Sequence, residues 1–140
     1  MKTLPAGSSI EISTNKSKLD IDLIVNFISN TYWAKGRPRE AIERGISNSA
    51  CFGIYLNGNQ IGFARVLSDY CSIAYLMDVF ILEEFRGYGL GEKLVGEVIN
   101  YQEFKPIKKW MLATLDMHRL YKKFGFKSLS NPDHLMEMFP

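Results

Sequence analysis

The run "SIAYLMDVFILEEFRGYGLG", Ser72 to Gly91, limits the possible folds of this chain more than any other stretch. Its first half, Ser72 to Leu82, is almost continuously apolar. A strand-length run without polar alternation predicts a central strand buried on both faces, which requires helices on both sides of a sheet. Its second half sets glycines at 87, 89 and 91, then enters Leu90, Leu94, Val95, Val98 and Ile99 at helical spacing. A strand therefore ends near Leu82 and a helix begins around Gly89 or Leu90. The free amide hydrogens of that helix's first turn, with the positive end of its macrodipole (roughly half a charge), point out of the sheet. Glycine costs about 0.5 to 1 kcal/mol relative to alanine inside a helix, so such a cluster asks for a cause. Close approach of a phosphate to the backbone supplies one.

The rest of the chain supplies the covering layers. Ile10 and Ile12 alternate with polar neighbours in Ser9 to Thr14, which predicts an edge strand. Leu19, Leu23, Ile24, Phe27 and Ile28 predict an amphipathic helix over 18–30. "TYWAKGRPRE" breaks it, and Pro38 suits the first turn of a second helix, 38–48. "CFGIYL" and "IGFARVLSD" flank Asn57 and Gly58, residues that a tight hairpin turn favours. Then follow a strand at 109–114, a short helix at 117–124, and strands near 126–129 and 135–139. The order β-α-α-β-β-β-α-β-α-β is that of an α/β (α+β) chain with one mixed sheet. Its 140 residues fit a single domain, 1–140.

Charge and cysteine content exclude other classes. A formal net charge of +2, with no stretch that concentrates Lys and Arg, gives no reason to expect a nucleic-acid partner. The densest positive cluster, Lys105 to Trp110, reads as a solvated turn before a strand. Cys51 and Cys71 have no metal-ligand spacing, no metal is expected, and both thiols read as reduced and buried. No apolar run approaches the ~18 residues of a membrane span, and no secretory signal pattern stands at the start. A cytoplasmic location with no membrane association is the expectation, and "NKS" at Asn15 carries no meaning as a glycosylation acceptor.

Two phosphate-binding patterns fail. A dinucleotide fingerprint requires its third glycine where Glu92 stands, and a P-loop requires Gly-Lys-Ser/Thr where Gly91 is followed by Glu92. "RGYGLG", Arg86 to Gly91, instead resembles the pyrophosphate loop Q/R-x-x-G-x-G/A of the GNAT family of N-acetyltransferases, with Arg86, Gly89 and Gly91 in the fixed places. "LYKKFGF", Leu120 to Phe126, is similar to that family's helix-to-strand ending, with Tyr121, Gly125 and Phe126 in order. The strand "KWMLAT" falls between the two motifs, and the order of elements is that of the family's mostly antiparallel mixed sheet with helices on both faces.

The resemblance implies acetyl transfer from acetyl-CoA to a primary amine by direct attack, with acetyl-CoA as cosubstrate. It places the pantetheine arm against backbone near Phe80, Ile81 and Leu82. The pyrophosphate falls on the amides of Arg86, Gly87, Tyr88, Gly89, Leu90 and Gly91. An unpaired N–H around Val79 or Phe80 is expected to stabilise the oxyanion, and Tyr121 matches the tyrosine that protonates the departing thiolate. Asp78, the one charged side chain in the apolar strand, is the candidate general base or else a structural acceptor. Asp116 and His118 stand where the family often has an asparagine, so that pantetheine contact is not carried over. Tyr32, Trp33 and Arg37 fall in the acceptor-binding loop, as an aromatic wall and a carboxylate anchor. Cationic amines and amino-acid-like acceptors both remain open, as do a protein acceptor, a non-catalytic acetyl-CoA sensor and a homodimer.

Overall fold

The computed structural model describes residues 1 to 140. Five strands, β1 (Ile10–Ser13), β2 (Ala50–Leu56), β3 (Asn59–Ser68), β4 (Ile73–Ile81) and β5 (Lys109–Leu112), form one sheet in the spatial order β1-β2-β3-β4-β5. Strands that follow one another through short connections pair antiparallel, as do β2–β3 and β3–β4, and β1 joins β2 in the same sense. The crossover through a helix makes β4–β5 parallel. Asn57 and Gly58 have φ of 50° and 86°, the left-handed pair that a two-residue hairpin turn needs.

Four helices cover the sheet: α1 (Ile21–Ile28), α2 (Arg39–Ser47), α3 (Leu90–Ile99) and α4 (His118–Lys122). α1 starts later than its apolar spacing predicts. Asp20 caps it by accepting the Leu23 amide at 3.1 Å, and residues 16–18 turn separately as a 3-10 segment. Ile24 and Ile28 of α1 and Ile42 and Ile46 of α2 pack with Phe63 and Phe80 on one face of the sheet. Leu90, Leu94, Val95 and Val98 of α3 cover Phe52, Ile54, Val66 and Leu76 on the other. Burying each such side chain stabilises by about 1.5 to 3 kcal/mol.

β4 lies between β3 and β5, as its apolar run predicts, but it is irregular. Phe63 pairs with Phe80 and Arg65 with Met77, so Asp78 and Val79 together face the single residue Ala64. Asp78 takes φ of 54°, which an Asp tolerates better than most residues. This bulge exchanges the strand's faces. Ala74 and Leu76 before it, and Val79 and Ile81 after it, all point to the α3 layer. Phe80 points to the α1/α2 layer.

The expected strands at 126–129 and 135–139 do not form; the only regular element after α4 is a 3-10 turn at Pro132–His134. After Gly125 (φ 96°) the chain folds back, with the Phe126 amide on the Tyr121 carbonyl (3.3 Å) and its ring edge-on to Tyr121. Met136, Met138 and Phe139 find no neighbouring strand and are largely exposed. Cys71 also departs from expectation. Cys51 is buried, whereas Cys71 is exposed in the β3–β4 turn, where the Asp69 carboxylate accepts the amides of Cys71 and Ser72. No helix is long and apolar enough to cross a membrane.

Candidate active site

β4 and β5 pair only from Ile73↔Lys109 to Leu76↔Leu112. β5 then ends while β4 continues to Ile81, so residues 77 to 81 of β4 have no strand on that side. The sheet splits there, leaving a crevice beside β4 that no strand fills. At its far end the Arg86 guanidinium turns back and donates Nε–H to the Ile81 carbonyl at 3.0 Å, which fixes the turn into α3.

The turn itself is a cradle of amides. Gly87 and Gly89 have φ of 87° and 76°, and Gly89 is the N-cap of α3 without any side-chain cap. The first helical bond runs from the Lys93 amide to the Gly89 carbonyl, and no amide from Gly87 to Glu92 has an acceptor within the protein. A helix start left bare in this way suits an anion. Two of the expected amides already have acceptors within the protein. The Arg86 amide is engaged by Glu83 O (3.1 Å) and the Leu82 amide by Ile61 O (2.8 Å). The run of amides without an acceptor therefore begins at Gly87. The Phe80 ring is not part of the crevice; it stacks on Phe27 at 3.9 Å. Lys2 lies over the loop, its amide on Gly87 O at 2.7 Å and its ammonium 5.5 Å from the Tyr88 ring centre.

Tyr121 is buried on α4 and borders a groove of about 770 Å³ with β5 and His118. Burial, with a smaller contribution from the Tyr32 phenol, pushes its hydroxyl up to about 12. Tyr32 of the α1–α2 loop and Tyr121 of α4 are therefore electrostatic neighbours, although 89 positions separate them in sequence.

Asp78 gathers the other predicted residues. Its Oδ1 accepts from Trp33 Nε1 at 2.9 Å, and its Oδ2 accepts from Arg37 Nη1 and Arg65 Nε, each at 3.0 Å. Its side chain is 1% exposed, and two guanidinium groups and an indole make a buried carboxylate tolerable. The loop that delivers Trp33 and Arg37 is tied by Thr31 Oγ1 to Ile28 O (2.7 Å) and by the Gly36 amide to Ser29 O (3.3 Å). Tyr32 packs edge-on against Trp33 at 5.2 Å. Arg65, which no motif marks, completes the cluster. It is 9% exposed and also donates from Nη1 to Ser49 Oγ at 2.9 Å. Its signal was an arginine inside the apolar strand "IGFARVL", which buries well only beside a carboxylate.

The chain thus combines an α+β sheet split between two parallel strands with a bare helix start beyond the split. The chain belongs to the GNAT acetyltransferase family: residues 47–128 match the acetyltransferase (GNAT) domain. Among similar proteins, FG08082 of Gibberella zeae, carried under a provisional acetyltransferase name, is 30% identical over 83% of this chain and 78% of its own. The crystal structure of xcc2953 from Xanthomonas campestris pv. campestris, described as belonging to the GNAT family, superposes with a TM-score of 0.91 at 41% identity, covering 94% of each chain. A GNAT family acetyltransferase from Elizabethkingia anophelis, solved with acetyl-CoA bound, shares the fold (TM-score 0.63, 20% identity, 88% of this chain and 78% of that one).

Proposed function

We propose that this single domain, residues 1 to 140, is an N-acetyltransferase that moves acetyl from acetyl-CoA to a primary amine of a small molecule. The observation that carries the reading is the run of unsatisfied amides from Gly87 to Glu92 at the open end of β4, with Tyr121 buried in the same core cluster as Ile81 and Leu90. Those amides hold the pyrophosphate, and the edge of β4 at Phe80 and Ile81, which no strand covers, receives the pantetheine arm. The cosubstrate supplies an activated thioester. An N–H of the bulged segment at Val79 or Phe80 stabilises the charge that develops on the carbonyl oxygen.

Tyr121 returns a proton to the sulfur. A phenol pushed up to about 12 is a weaker acid than usual, so its proton passes as the C–S bond breaks and charge develops on the sulfur. Asp78 starts as the candidate base, yet both its oxygens already accept from three donors. In this reading it positions Trp33 and Arg37, and the amine's proton leaves through water.

Calorimetric titration with CoA and a thiol-release assay with acetyl-CoA and a panel of amines test the proposal. CoA binding, and amine-dependent thiol that falls steeply in Tyr121→Phe, are expected. Absence of CoA binding by folded protein sinks it.

A further inference from the structure

The Asp78 cluster does not balance. It holds two guanidinium groups, Arg37 and Arg65, against one carboxylate, which leaves one positive charge beside the acceptor loop. The two arginines are not equivalent. Arg65 is buried and divided between Asp78 and Ser49. Arg37 gives only Nη1 to Asp78, its side chain is 25% exposed, and no other partner takes its remaining N–H groups. A guanidinium has five donors in a rigid fork, so most of Arg37's stay open while Asp78 locks its orientation. Beside it stand Tyr32 and Trp33, 63% and 42% exposed. The Trp33 indole is fixed by its own bond to Asp78. The result is a preoriented anion fork next to a rigid aromatic wall.

Resting on the function proposed above, we propose that the acceptor is an amine that also carries a carboxylate, and that the free side of the Arg37 guanidinium holds this carboxylate. The second carboxylate completes a two-to-two arrangement of charges. A polycationic amine meets an uncompensated positive charge at the same place and is disfavoured. The amine of the acceptor attacks the acetyl carbon, the C–N bond forms as the C–S bond breaks, the proton lost by the amine leaves through water, and the sulfur gains one from Tyr121. The carboxylate takes no part in these transfers, so its contribution lies in binding.

The test pairs acceptors that differ only in the carboxylate: phenylalanine with phenethylamine, and lysine with cadaverine, each with acetyl-CoA and thiol detection, with spermidine as the polycation. In the wild-type protein the carboxylate-bearing member of each pair is expected to have roughly 10- to 100-fold higher kcat/KM, expressed in KM, the worth of a charge-assisted pair. In Arg37→Gln that ratio falls towards one. Arg37→Lys, which keeps the charge and loses the fork, retains part of it. A variant that merely loosened the structure lowers both members alike and leaves the ratio in place. The wild-type comparison stands even if neither variant folds. Thiol release with equal or greater efficiency from cadaverine, phenethylamine or spermidine overturns this inference while the acetyltransferase reading survives. CoA binding without thiol release from any amine ends both.

Discussion

Asp78→Asn isolates the charge at the centre of the acceptor wall. Asn has nearly the shape of Asp and accepts the positive φ of 54° about as readily, so the backbone bulge keeps its geometry. The carboxylate, 1% exposed in its side chain, is what balances Arg65, whose own residue is 9% exposed. Arg37 can turn to water, but Arg65 is left with Ser49 alone. Removing one partner of a buried ion pair costs about 3 to 5 kcal/mol, against a total of roughly 5 to 15 kcal/mol for a domain. For a chain of this size each kcal/mol moves Tm by about 3 to 4 °C, so a drop of about 10 to 15 °C is expected. Arg65→Met alone should cost less, because Asp78 retains Trp33 and Arg37. The double variant Asp78→Asn/Arg65→Met should recover a large part of the loss, since an apolar side chain of similar length needs no counter-charge. Thermal unfolding of the four proteins, followed by far-UV circular dichroism, measures the cycle. Asp78→Asn melting within about 3 °C of wild type, or a double variant less stable than Asp78→Asn, would refute the reasoning.

Gly89→Val should abolish CoA binding by calorimetry, because a branched residue is strained at φ 76° and its side chain fills the space over the amides; the new Cβ also meets Met1 Sδ at 2.7 Å. Undiminished affinity would remove the phosphate cradle from the mechanism. Tyr121→Phe should lower kcat by about 100-fold with little change in CoA affinity, and because the hydroxyl titrates near 12, no alkaline fall in rate from Tyr121 is expected below pH 11. Stability should decline at high pH. Cys51 rises from 9.0 to about 11 and Tyr121 from 10.0 to about 12 on folding, so their neutral forms stabilise the fold fully below pH 9 and pH 10 and lose that contribution as pH rises through the folded values. Two units at Cys51 correspond to about 3 kcal/mol, so Cys51→Ala should flatten the decline in Tm between pH 9 and 11. An unchanged slope would show that burial of this thiol does not govern it.

Much of this was legible in the sequence because local and long-range preferences agree. Asn57-Gly58 sets the β2–β3 hairpin, the apolar spacing of 90 to 99 sets α3, and the glycines mark the bare helix start. The misses have physical causes. Asp20 captured an amide that the apolar pattern alone assigned to the interior of a longer helix. Residues 135–139 alternate suitably for a strand, but alternation does not supply a neighbour, and this segment has none. The meeting of Asp78 with Arg65 depends on an extra residue in β4. Unbroken pairing of the hairpin sets Asp78 against Ala64, and nothing in "AYLMDVF" announces the break. Position in the loop assigns Trp33 and Arg37 to an acceptor, and only the folded loop reveals that they share one carboxylate.

The bulge at Asp78 works as a phase shift within one strand. Residues up to Met77 follow one alternation and those from Val79 follow its complement, so substitutions along β4 sort by position into two separate neighbourhoods. Deleting Asp78 would restore an even ladder with β3, set Val79 against Ala64 and leave Val79 and Ile81 facing α3, whereas an unbroken ladder that kept every residue would turn both away. The shortened chain would keep every loop motif and both linings, yet lose the carboxylate that the extra residue brings between Trp33, Arg37 and Arg65.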